Sequence, residues 1–144
     1  MHEPIERGRG RRGELVDFDA HDEAMGLPMT EVVRRLVGYL GASTVAAIGG
    51  VNETRAVRQW TSPGARKPQR PQVLRFALQL ASMIASNADA DVVVAWFQGS
   101  NPHVEDQIPA LMLRTHPLEE VQAQLVAAAR SFAERRTILA RKPS

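Results

Sequence analysis

DADVVVAWFQG, Asp89–Gly99, decides the fold class. Val92, Val93 and Val94 are β-branched and suit a strand, whereas the acids at the start suit the positive end of a helix. Apolar runs of this length do not separate the two by periodicity, so the flanks arbitrate. On both sides the chain has helical spacing. The segment is therefore read as a buried helix ended by Gly99, and the protein as all-α.

Working outward, RPQVLRFALQLASMIASN places Pro71 in a first turn, where its missing N–H costs nothing, and sets Val73, Phe76, Ala77, Leu80 and Ile84 on one stripe. TEVVRRLVGYLG has Thr30 as cap and a stripe of Val32, Leu36 and Leu40. STVAAIGG is a short helix opened by Ser43 and stopped by glycines. Asn52 is read as the cap of NETRAVRQW. After the Asn101-Pro102 turn, Asp106 is placed to cap a short helix with Pro109 in its first turns and Leu111 and Leu113 facing inward. PLEEVQAQLVAAARSFAER carries Leu118, Val121, Leu125, Ala128 and Phe132 at helical spacing. Four segments follow: a disordered Arg-rich tail over 1–27, a small DNA-binding bundle over 28–70, a small helical partner-binding domain over 71–134, and a flexible basic tail over 135–144.

Charge divides the chain. Glu53–Arg75 holds six bases and one acid, net +5, whereas Phe76–Glu134 holds two bases and seven acids, net −5. One half suits a polyanion and the other does not. STVAAIGGVNETRAVRQW has the order of a helix-turn-helix. At ~100° per residue, Glu53, Ala56, Val57 and Trp60 share an inner face. Arg55, Arg58, Gln59 and Ser62 fall opposite, with Thr54 flanking. Arginine and amide side chains are the groups that read base edges in a major groove. The loop TSPGARKPQRPQ then offers Arg66, Lys67 and Arg70 to phosphates. Arg7, Arg9, Arg11 and Arg12 of the tail can trail along the same backbone, or simply be solvated.

Catalysis finds no support. The chain has no cysteine, no phosphate-binding Gly-rich loop, no nucleophile elbow and no His-Glu-x-x-His. His103, Glu105 and Asp106 lie close in sequence but lack further ligands, so HVED is read as helix-start chemistry on a turn. Neither a metal nor a cofactor is expected. No apolar run approaches the ~20 residues that span a bilayer, and no signal peptide is seen, so a cytoplasmic protein without membrane contact is expected.

Within AWFQGSNPHVEDQIPALML, the residues Trp96, Gly99, Asn101, Pro102, Pro109 and Leu111 resemble the signature of the toxin-binding domain of MbcA/ParS/Xre antitoxins. The preceding VAAIGGVNETRAVRQW is similar to the Xre-like helix-turn-helix that comes before that domain in many members. Together the two parts cover roughly residues 30–133. The resemblance implies an all-helical type II antitoxin that neutralises a RES-domain toxin, an NAD-degrading enzyme, and represses its own operon by binding operator DNA. A second reading is a stand-alone regulator whose C-terminal domain serves dimerisation, and a third is an adaptor with no DNA role. Because one recognition helix per half-site usually requires a dimer, a homodimer or higher oligomer is expected under either of the first two.

Overall fold

The computed structural model describes residues 26–141, with side chains through Ile138. Among these residues the chain is all-α. The helices are α1 (Met29–Leu40), α2 (Ala42–Gly49), α3 (Thr54–Trp60), α4 (Pro71–Ala85), α5 (Ala90–Gln98), a 3-10 turn (Pro102–Val104), α6 (Pro109–Thr115) and α7 (Leu118–Arg141). The only extended pairing among them is an isolated bridge between Asn101 and Gln107.

The ambiguous valine run is α5. It buries Val93, Trp96 and Phe97, which stand at helical spacing, while Val92 and Val94 are half-buried. β-branching lowers helix propensity by only a few tenths of a kcal/mol per residue, about what one buried methyl outweighs. Burial therefore decides. The expected stripe of α4 is also present, and Leu74, Leu78, Ala81 and Met83 are buried beside it. That width follows from position, because α4 packs most extensively on α1 and on α7. Its sequence shows the consequence as a helix apolar nearly all round.

One continuous hydrophobic cluster runs from Val32 in α1 to Ala129 in α7. Segments 28–70 and 71–134 both contribute to it. No helix among the described residues is long and apolar enough to cross a membrane.

Three expected caps are not used. α1 begins at Met29 after Pro28, α2 at Ala42 after Gly41, and α3 at Thr54 after Glu53, none with a side-chain cap. Thr30 and Ser43 thus lie inside their helices. Asn52 accepts from Arg114 Nη2 at 2.9 Å instead. A cap is worth about 1 kcal/mol, so a tertiary partner of similar strength can claim its side chain.

The chain ends also differ from expectation. Leu27, assigned to the tail, packs on the core, and its carbonyl accepts from Arg75 Nη1 at 2.7 Å. The arginines at 7, 9, 11 and 12 lie outside the described residues. At the other end, the segment read as a flexible tail from 135 continues α7 to Arg141. Asn87 Nδ2 donates to Thr137 Oγ1 at 2.6 Å, tying that extension to the end of α4.

Candidate nucleic-acid interface and partner groove

α2 and α3 are joined by a tight turn whose geometry rests on two features. Gly50 closes α2 in the left-handed region at φ 83°, and its N–H donates back to Ala47. Gly49 lies directly against the Trp60 ring, and a Cβ there would stand 2.7 Å from Cη2 and 2.9 Å from Cζ3. The Trp60 ring thereby lies against α2, and Ala56 and Val57 of its own helix are buried with it.

Burying those three residues turns Arg55 and Arg58 to solvent. Thr54 and Gln59 flank them and are half-buried. Two members of the expected faces change place. Glu53 is exposed at the N-cap position and does not point inward, and Ser62 lies in the turn after α3 because the helix stops at Trp60. Arg34 Nη2 donates to Thr61 O at 3.0 Å, anchoring the end of α3 to α1. Arg35 and Arg34 also hydrogen-bond Glu31 and hold its carboxyl below the usual carboxylate range.

The basic loop separates into two kinds of residue. Arg66 and Lys67 are exposed. Arg70 turns inward, where its guanidinium donates to the carbonyls of Leu113 at 2.8 Å, Arg114 at 3.1 Å and His116 at 3.3 Å. These are carbonyls at the end of α6, the negative end of its dipole. Arg114 makes the reciprocal tie, donating to Ala47 O at 3.0 Å and Val51 O at 3.1 Å across the α2–α3 turn. Sequence reading counted Arg114 only as a charge. Its place in the last turn of a short helix was the one available signal of its role.

The partner-motif residues are not gathered at one point. Trp96, Asn101 and Pro102 line a groove of about 510 Å³ between α5 and the end of α7, together with Phe132, Arg135 and Arg136. Phe132 belongs to the expected stripe of the last helix, whereas Arg135 and Arg136 fall in the segment read as tail. Trp96 is 7% exposed, and its indole N–H has no acceptor among the described residues. Gly99 ends α5 in extended conformation and is exposed. Pro109 is buried in the first turn of α6. Leu111, expected to face inward, is 48% exposed, whereas Leu113 is buried. It lines a second, shallower hollow with Ala47, Gln98 and Ile108.

HVED is a turn of a different kind from a helix start. Asn101 Oδ1 accepts from His103 N at 2.9 Å, and Asp106 N donates to Asn101 O at 2.8 Å. Glu105 and Asp106 both take left-handed backbone, φ 60° and 62°, and Ile108 occupies the N-cap position of α6. Asp106 therefore caps nothing. His103 reaches Ser131 of α7, with Nε2 and Oγ 3.2 Å apart. Among the described residues no group of three or more His, Cys, Asp or Glu is placed to hold a metal ion.

Comparison with known proteins finds no matching family model, no matching curated protein and no matching solved structure.

Proposed function

We propose that this chain is a DNA-binding antitoxin that reads operator DNA through α3 and holds a toxin through its C-terminal helices. The carrying observation is the split of α3. Ala56, Val57 and Trp60 are buried while Arg55 and Arg58 are exposed, and the following loop leaves Arg66 and Lys67 in solvent. In this reading α2, the turn and α3 form a helix-turn-helix. Thr54, Arg55, Arg58 and Gln59 meet base edges, and Arg66 and Lys67 neutralise phosphates. Arg70 is left out of the DNA face because its donors are spent on α6.

The partner assignment is supported by the sequence resemblance and by the groove that Trp96, Asn101 and Pro102 share with Phe132. A RES-type toxin would be neutralised by occlusion, with no chemistry by this chain. The regulator reading draws on exposed Leu111, whose apolar surroundings suit a second copy.

Duplex DNA from upstream of the protein's own reading frame provides the test. Arg55→Ala or Arg58→Ala should cost about 1–3 kcal/mol of specific binding, the scale of one base contact. Arg66→Ala should weaken specific and random DNA alike. Unchanged affinity in both α3 variants would remove the recognition face. Co-expression with the adjacent reading frame tests the second half: growth arrest relieved by this chain supports the antitoxin, and no arrest supports the regulator.

A further inference from the structure

A cleft of about 330 Å³ opens where α1 begins, bounded by the loop between α3 and α4. Its lining includes Met29, Trp60, Pro68 and Pro71, with Arg66 and Lys67 contributing two exposed cations. Trp60 is 2% exposed, and its indole N–H has no acceptor among the described residues. Here α1 starts without a side-chain cap, so its positive dipole end adds to the same field. An occupant suited to this cleft combines apolar side chains with several carboxylates.

The chain carries such a segment immediately upstream. ELVDFDAHDE, Glu14–Glu23, has five acids, no lysine or arginine, and three large apolar residues in Leu15, Val16 and Phe18. It contrasts with the preceding GRGRRG, which is purely basic. Four residues of chain separate Glu23 from Pro28, which itself lines the cleft. At most ~3.5 Å per residue, even Phe18 is within ~35 Å of that point. Tethering also holds the segment at an effective concentration in the millimolar range.

We propose that Glu14–Glu23 of the same chain docks in the cleft formed by Trp60, Arg66 and Lys67, with carboxylates standing where phosphates would otherwise sit. Phe18 supplies the apolar anchor and the acids meet Arg66 and Lys67. The consequence for DNA rests on the function proposed above, but the docking itself does not. An acidic segment over two phosphate-binding cations competes with a nucleic acid for them and, because salt weakens both contacts, flattens the salt dependence of binding.

The absence of cysteine makes a direct test possible in the full chain. A nitroxide is placed on Ala20→Cys, and the indole N–H signals of the two tryptophans are followed by NMR. The Trp60 signal and the amides of Gly64, Ala65 and Lys67 should lose most of their intensity, while Trp96, in another groove, serves as the reference. The same label in a chain also carrying Asp17→Asn, Asp19→Asn, Asp22→Asn and Glu23→Gln should leave the Trp60 signal strong. Equal broadening in both chains would mean tethered proximity without docking and would overturn the proposal, as would no broadening in either. Mixing spin-labelled chains with isotope-labelled, label-free chains identifies the source. Broadening in that mixture would assign the cleft to a second copy and overturn docking within one chain. Separately, the neutralised chain should bind duplex DNA about tenfold more tightly at low salt. Docking without that gain would count against the DNA reading and leave the docking intact.

Discussion

Gly49 is where one missing methyl group sets the path of the chain. Its backbone φ is ordinary, so the demand for glycine is not conformational but steric, from the Trp60 ring at less than 3 Å from any Cβ. The ring has no easy retreat, because it is 2% exposed. Gly49→Ala should therefore destabilise the fold by about 1–3 kcal/mol, the usual cost of an overpacked core. Urea denaturation would measure it, and an unchanged midpoint would show that Trp60 can move aside. Gly50, one residue on, is constrained for the other reason, its left-handed φ of 83°. Two adjacent glycines that look alike in sequence thus do different work.

At the scale of elements, two arginines tie the halves of the chain together in opposite directions. Arg70, just before α4, caps the C-terminal carbonyls of α6, and Arg114, at the end of α6, caps the turn after α2. Both are partly buried, and hydrogen bonds from a charged donor contribute about 1.5–3 kcal/mol apiece before losses elsewhere. Arg70→Ala and Arg114→Ala should each lower stability by about 1–3 kcal/mol, and Arg70→Lys should rescue little, because a single ammonium cannot reproduce the guanidinium fork. The contrast with Arg66→Ala is diagnostic: that variant should melt like the parent. If Arg70→Ala instead left thermal stability unchanged, its three bonds to α6 would carry no weight. The turn after α5 is likewise an element-level device. Buried Asn101 organises it through His103 and Asp106, and in doing so places Trp96 and Pro102 in one groove.

The whole molecule is held by one apolar cluster, with α4 between α1 and α7. A core of this kind has no seam along which 28–70 could separate from 71–134 without exposing apolar side chains of α4. Thermal unfolding of the full chain should accordingly be a single transition whose calorimetric and van't Hoff enthalpies agree. A fragment of residues 28–70 should lack stable helicity by circular dichroism. Two resolved transitions, or a folded fragment, would establish independent units.

Helix positions were legible because each apolar stripe repeats at the helical period, as Val32, Leu36 and Leu40 or Val73, Phe76, Ala77 and Leu80 do. The same arithmetic found that Ala56, Val57 and Trp60 oppose Arg55 and Arg58, since both faces belong to one short segment. Helix ends were less legible: Thr30, Ser43, Asn52 and Asp106 all have cap chemistry, and none serves as one. What only the tertiary structure decided is the fate of side chains with distant partners. Arg70 turned inward, Leu111 turned outward, and Phe132, Arg135 and Arg136 joined the groove of Trp96. Local sequence determines which face of a helix is apolar. It does not determine which carbonyl, groove or ring another helix brings within reach, because the residues that meet lie on different helices.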